Sequence, residues 1–225
     1  MQNNLKEVLA VLENDKLFYE IFKYCPYEIL KNVQLKRYPE GKFCLEQGEI
    51  YDTFYLIVEG TVDIIVESEQ GKKYCLTSYG KGRFIGELEI MGKRPYMSSV
   101  AGRGAVTTLE IDRSNYMRWL SKDSNFSQYV LRMLCEVTYV SMQKMGNNTL
   151  YTLKQRICQF LLENTNENGE LKKTVNAELL SERMGVTIRS VNRILKELKD
   201  KNILETNKSV ITIKDYKLLL EERNH

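Results

Sequence analysis

Histidine is nearly absent from this 225-residue sequence, since the single one is His225, the last residue. Catalysis by Ser-His or Cys-His pairs, haem ligation by histidine and zinc sites with histidine ligands therefore lack their usual residue. The five cysteines are an odd number, and no two of them form a CxxC pair, which favours reduced and mostly buried thiols over a metal site. The composition argues against an enzyme, and we predict no metal and no bound cofactor.

Long apolar runs are also missing. The longest strongly apolar run, Phe54 to Val58, has five residues, whereas a membrane span needs about 20. The first 15 residues include three acidic side chains and no unbroken apolar stretch, unlike a secretory signal. We therefore expect a cytoplasmic protein with no membrane partner. Hydrophobic residues at 43% and charged residues at 28% are ordinary for a chain that buries cores, and the length predicts two modules.

Between about residues 33 and 111 the chain consists of short β-branched and aromatic runs separated by glycines. Strands of this length with regular turn residues indicate an antiparallel sandwich or barrel. The first 30 residues predict one or two short amphipathic helices that cap it. The predicted strands are VQLKRY, KFCLEQG, TFYLIVEG, TVDIIVES, KKYCLTSY and GAVTTLEID.

A long helix is predicted from Asn125 to Gly146, with no glycine or proline before Gly146. Its apolar side chains recur at alternating steps of four and three, a period of 3.5 that is typical of a seam between two helices. Two interpretations stay open: a dimer seam between two copies, or packing of the helix against its own β-domain. A second helix, roughly Leu150 to Asn164, is predicted after a break at residues 146–148. The seam residues are Phe126, Val130, Met133, Val137 and Val140.

The last third of the chain is basic, and its sequence pattern predicts a helix pair followed by a hairpin. Residues 183–208 carry seven Lys and Arg against three Asp and Glu, a footprint expected of a nucleic-acid module. Asn176 is a predicted N-cap, Gly185 supplies a turn, and Thr187 caps a second helix that runs to about Lys201. With two short strands around residue 207, this pattern describes a winged helix-turn-helix.

The second helix of the pair has the chemistry of a recognition helix. Arg189 and Arg193 are four residues apart and share one face, where arginine can pair with guanine in the major groove. Thr187 at the cap and Ser190 can serve backbone phosphates, because a helix N-terminus attracts anions. Lys208 in the hairpin is a further candidate phosphate contact.

The sequence as a whole resembles the Crp/Fnr family of bacterial transcription regulators over roughly residues 30–215. The motifs that carry the resemblance are YLIVEGTVDI, FIGELE followed by SSVAG, KMGN, and GVTIRSVNRILKELKDKNIL. The resemblance implies an α+β fold: an antiparallel, jelly-roll-like β-roll sensor domain over residues 1–112, a linker and long dimerisation helix over 113–148, and a winged helix-turn-helix over 149–225. It also implies a homodimer that binds a palindromic operator in double-stranded DNA and acts with RNA polymerase. Ile188 departs from the family, where many members have a polar or basic residue.

In the roll, Gly86, Glu87 and Leu88 match the start of the family's cyclic-nucleotide cassette, in which the glutamate accepts from the ribose. The arginine that would bind the cyclic phosphate is missing, because Tyr96 and Met97 stand at its positions. Neither can form the charge-assisted pair that a phosphate needs, so cyclic AMP is not the predicted effector.

The predicted effector pocket is left with two interpretations, and the effector itself stays unidentified. Tyr96, Ser98, Ser99 and, on the long helix, Ser141 could line a cavity for a neutral or aromatic ligand, or Tyr96 and Met97 could fill it. A redox-sensor role for Cys44 or Cys75 is not supported by any low-pKa microenvironment visible in the sequence. The alternative function is a cyclic-nucleotide-binding signalling module that does not bind DNA, and the basic helix and the hairpin count against it.

Overall fold

The computed structural model describes residues 2–71, 73–166, 171, 174–207 and 210–224. By its contacts the chain divides into two units, residues 1–137 and 138–225, and each is described by itself. The first unit contains an antiparallel β-roll with short helices, and the second contains helices with a two-stranded hairpin. The predicted α+β fold is confirmed. Among the described residues, no helix is both long and apolar enough to cross a membrane.

Three short helices begin the chain where one or two were predicted. Asp15 separates the first two, because its side chain accepts a hydrogen bond from the Leu17 amide at 3.0 Å and caps the second. Pro26 precedes the third, which it can start because it needs no amide hydrogen. The helices are α1 (Gln2–Asn14), α2 (Lys16–Phe22) and α3 (Tyr27–Leu30).

The roll is one antiparallel sheet with the strand order β1-β6-β3-β4, in which β2 also pairs with β6 and β5 with β3. Among the described residues this path begins at β1 and ends at β4 without closing into a barrel. Residues 53–67, predicted as two strands, form the single strand β3. Gly60 lies within it at an irregularity in the pairing with β6 and has φ of 88°. A Cβ at this position would collide with the Ala105 carbonyl oxygen. Gly60 is therefore a bulge, not a turn. The strands are β1 (Gln34–Tyr38), β2 (Cys44–Leu45), β3 (Thr53–Glu67), β4 (Lys73–Tyr79), β5 (Phe84–Ile85) and β6 (Ser99–Asp112), and the short helix α4 (Glu87–Gly92) follows β5.

The predicted dimer seam falls largely on the inner face of the first unit. Helices α5 (Arg113–Lys122) and α6 (Ser124–Leu150) follow the roll. Phe126 is 1% exposed and stacks on Trp119 at 3.6 Å between ring centres, and Val130 is 5% exposed in the same apolar core. Met133 packs against this core. The assignment of Phe126 and Val130 to a dimer seam is therefore wrong, because the first half of α6 packs on its own domain.

Helix α6 continues through the break that the sequence predicts at residues 146–148. A glycine within a helix costs about 1 kcal/mol relative to alanine, which a long helix tolerates. The next helix begins instead at a capping box, in which Thr152 and Gln155 exchange hydrogen bonds. The boundary therefore follows the cap and not the glycine.

The second unit confirms the helix pair and hairpin predicted from the sequence. Its apolar core contains Val191, Ile194, Leu195 and Leu198 from one face of α9 together with Leu180 from α8. The elements are α7 (Leu153–Glu163), α8 (Ala177–Met184), α9 (Ile188–Asp200), β7 (Leu204–Asn207), β8 (Val210–Ile213) and α10 (Tyr216–Asn224).

Candidate functional site

The turn between α8 and α9 is fixed by local hydrogen bonds that the sequence largely predicts. Asn176 caps α8 through the Leu179 amide at 2.9 Å, and Gly185 ends that helix with φ of 67°. Ser181, whose role the local sequence pattern does not indicate, donates its hydroxyl to the Val186 carbonyl at 2.6 Å. These contacts set the direction in which α9 leaves the turn.

The N-terminus of α9 carries its polar groups outward. Thr187 accepts from the Ser190 amide at 3.2 Å, and the two hydroxyls lie 2.9 Å apart. Arg189 and Arg193 are exposed one turn apart, and among the described residues neither forms an ion pair. The predicted cap is confirmed, and the two arginines are free to bind an anionic partner.

Ion pairs connect the C-terminal half of α9 to α7 and α10 within the same unit. Lys154 bonds Glu222 at 2.7 Å and Glu197 at 3.3 Å, and Lys201 bonds Glu222 at 2.6 Å. These pairs lower the pKa of the Glu222 carboxyl, because both lysines hydrogen-bond to it. The cations that anchor α9 are therefore distinct from those that it exposes. Lys208, the predicted phosphate contact in the hairpin, lies outside the described residues.

In the first unit, a small cavity lies where the roll meets the first half of α6. Its volume is about 10 Å³, roughly the space of one water molecule. Glu87 is the only residue of the predicted effector pocket that lines it. The cavity is also lined by Arg83, which was not predicted although it stands four residues before Glu87. Two further lining residues, Met133 and Val137, were assigned to the dimer seam. The lining residues are Tyr79, Arg83, Phe84, Glu87, Met133, Leu134 and Val137.

Burial dominates the electrostatics of this cavity. It raises the pKa of the Glu87 carboxyl to about 7, with a smaller increase from the nearby charge of Glu89. Burial also raises the pKa of Tyr79 and Tyr116, and the charge of Glu87 adds to both shifts. Near neutral pH a large fraction of Glu87 is therefore protonated.

Arg83 is the one cation among the described residues that line the cavity, and it is already paired. Its two Nη atoms donate to the two carboxylate oxygens of Glu136 on α6, at 3.0 Å each, and Nη1 lies 3.5 Å from the Met133 sulfur. This bidentate pair bridges the roll and the helix. An anion in the cavity would have to compete with Glu136 for it.

Gly86 and Tyr96 meet each other within the roll. Gly86 has φ of 93°, and a Cβ there would lie 2.5 Å from the Tyr96 hydroxyl and 2.8 Å from the Thr53 carbonyl oxygen. Tyr96 is 3% exposed and packs edge-on against Tyr51. Tyr96 therefore fills space in the roll core.

The remaining predicted pocket residues are dispersed. Leu88 and Met97 are more than half exposed, so Met97 does not fill the pocket. Ser99 accepts from the Gln47 amide at 3.0 Å, and Ser98 is buried. Ser141 is exposed on the part of α6 that belongs to the second unit.

The cysteines are all free thiols, and two of them, Cys44 and Cys135, are exposed, so the expectation of mostly buried thiols is only partly right. Burial and the Glu46 carboxylate raise the pKa of Cys44. Because the thiolate is the reactive form, this environment works against a redox role for Cys44.

Two family models match the chain. A cyclic nucleotide-binding domain covers residues 35–123, and a Crp-like helix-turn-helix domain covers residues 155–222. The chain belongs to the Crp/Fnr family. It is accordingly a transcription regulator with a helix-turn-helix DNA-binding domain, and the alternative of a signalling module that does not bind DNA is not favoured.

Relatives of this Crp/Fnr protein respond to different nucleotides. The cAMP-activated global transcriptional regulator CRP of Salmonella typhimurium is 26% identical over 192 residues, which cover 82% of this chain and 91% of that protein. The CRP-like cAMP-activated regulator of Mycobacterium tuberculosis is 24% identical, covering 83% and 87%. The c-di-GMP responsive regulator CLP of Xanthomonas campestris has a similar structure, with a TM-score of 0.64, 18% identity and coverage of 82% and 95%.

The fold also matches a regulator without a stated effector. A Crp/Fnr family transcriptional regulator from Eubacterium rectale aligns with a TM-score of 0.66 and 17% identity, covering 94% of this chain and 95% of that one. The family and the fold therefore leave the effector of this protein to be argued from its own residues.

Proposed function

We propose that this regulator acts as a cytoplasmic homodimer on a palindromic operator, together with RNA polymerase, and that cyclic AMP is not its effector. The observation that carries the effector part is the cavity beside Glu87. Its volume of about 10 Å³ contrasts with the roughly 300 to 1,000 Å³ of pockets that enclose small ligands.

The charges around this cavity support the same conclusion. A cyclic phosphate is an anion, and burying it without a cation is strongly unfavourable. Arg83 is held by both oxygens of Glu136, and Arg94 is exposed and lies against Gly92. Tyr96 contributes only a neutral hydroxyl, which as a hydrogen-bond donor recovers about 1 kcal/mol. The Arg83–Glu136 pair links the roll to α6 in place of a ligand.

The dimer part rests on a second apolar stripe of α6, displaced from the predicted one. From residue 131 onward, exposed apolar or small side chains recur at alternating steps of four and three, the spacing of a paired helix. Leu131, Met142 and Met145 are each more than 60% exposed. Two copies that pair along this stripe would present two recognition helices to half-sites about 34 Å apart. The stripe consists of Leu131, Cys135, Thr138, Met142, Met145 and Thr149.

The test is to select duplexes from a random pool with the ligand-free protein and then to titrate cyclic AMP by calorimetry. We expect a selected site with two-fold symmetry, ligand-free binding to it, and no cyclic AMP binding at micromolar concentrations. A dissociation constant for cyclic AMP below about 10 μM, which corresponds to roughly 7 kcal/mol, would refute the effector part. An asymmetric selected site would refute the dimeric mode of binding.

A further inference from the structure

Ile188 is an exposed apolar residue on the helix that binds DNA. It is the first residue of α9, directly after the Thr187 cap, and its side chain is 43% exposed. The apolar face of α9 that packs into the domain begins at Val191. Ile188 therefore lies on the surface and not in the core of its unit.

The helical repeat places Ile188 beside the two arginines. With 100° between successive residues, Ile188 and Asn192 form one exposed row and Arg189 and Arg193 form the next. Side chains at the N-terminus of a recognition helix contact base edges, so Ile188 stands among groups that face the floor of the major groove. An exposed isoleucine gives a helix little stability, and its position suits contact with a partner better than packing.

The floor of the major groove offers one apolar group, the C5-methyl of thymine. An isoleucine can form no hydrogen bond with its side chain, so it cannot recognise the donors and acceptors of the other bases. We propose that Ile188 contacts a thymine methyl and specifies a T·A pair at one position of each half-site. This inference rests on the binding of α9 to DNA and adds the base that one of its residues recognises.

The test uses operator duplexes selected by the wild-type protein, in which each thymine is replaced in turn by uracil. This replacement removes only the methyl group. Fluorescence anisotropy at one salt concentration should reveal one position in each half-site at which uracil weakens wild-type binding about fourfold, the ratio that burial of one methyl group corresponds to. At that position cytosine should also weaken binding, and 5-methylcytosine should recover about the same fourfold.

Two variants link the methyl group to Ile188. Ile188→Ala should bind the thymine and uracil duplexes equally, whereas Ile188→Val, which keeps two methyl groups, should retain part of the difference. Leu218→Ala is the matched control, because Leu218 is 39% exposed on α10, and it should keep the full wild-type sensitivity to uracil. Thermal unfolding of Ile188→Ala should match that of the wild type, since the side chain is outside the core.

The outcomes separate this inference from the function on which it rests. If wild-type selection enriches no sequence, the binding of specific DNA itself fails. If selection succeeds but no uracil weakens wild-type binding, or if Ile188→Ala keeps the wild-type difference, the contact between Ile188 and thymine is refuted. If Ile188→Ala loses the same affinity for all duplexes and keeps its sensitivity to uracil, the contact is also refuted. The uracil scan of the wild type needs no variant to fold.

Discussion

Replacing Glu87 by Gln should stabilise the roll at pH 8 and leave its stability nearly unchanged at pH 4. The carboxyl is buried, and burial raises its pKa from the usual 4.5 to about 7. Below pH 4.5 it is protonated in both the folded and the unfolded chain, so it costs nothing. As the pH rises from 4.5 to about 7, the unfolded chain releases its proton first, and the free energy of unfolding falls. Above pH 7 the buried carboxylate carries its full penalty.

The size of the effect follows from the two pKa values. At about 1.4 kcal/mol for each pH unit between them, the penalty at pH 8 is roughly 3 kcal/mol. Glutamine has the same shape and does not titrate, so the difference between variant and wild type should grow by this amount from pH 4 to pH 8.

Urea unfolding at fixed protein concentration measures this difference. Trp119 is the only tryptophan and is fully buried, so its fluorescence reports the unit that contains Glu87. Glu40→Gln, at an exposed residue of the turn between β1 and β2, removes the same formal charge and controls for net charge alone. Parallel pH profiles for the wild type and Glu87→Gln between pH 4 and 8 would refute the reasoning, since they would mean that the buried carboxyl is not held protonated.

Three further predictions concern the dimer, the roll and the DNA contacts. Met142→Glu should give monomers in analytical ultracentrifugation, because it places a charge in the exposed stripe of α6, whereas Val140→Glu on the opposite face should stay dimeric; a dimeric Met142→Glu would reject that stripe. Gly86→Ala should lose about 1 to 3 kcal/mol more stability in urea than Gly104→Ala, because both have positive φ but only Gly86 lacks room for a Cβ; equal losses would contradict this. Arg189→Ala should lose roughly 1 to 3 kcal/mol of discrimination at one base position, whereas Lys208→Ala should weaken all sequences alike and reduce the salt dependence by about one charge; equal, sequence-independent losses for both would contradict a base contact of Arg189.

Local signals in the sequence were sufficient for the DNA-binding helices. Asn176, Gly185 and Thr187 act within a few residues of the chain, through side-chain caps and a left-handed backbone. Such interactions depend on neighbours in sequence, so residue type and spacing predict them. The exposed positions of Arg189 and Arg193 follow from the same helix, once its apolar face is assigned to the core.

Which side of a long helix is buried, and which groups meet across the roll, follow only from the packing of the folded chain. Two stripes with the same 3.5 period run along α6, and periodicity alone cannot say which one packs on the protomer. Likewise Arg83 and Glu136 are 53 residues apart, and Tyr96 turns into the core while Met97 turns out to solvent. Pairing, burial and the pKa of Glu87 arise from groups that are distant in sequence, so these features depend on how the strands and the helix are brought together.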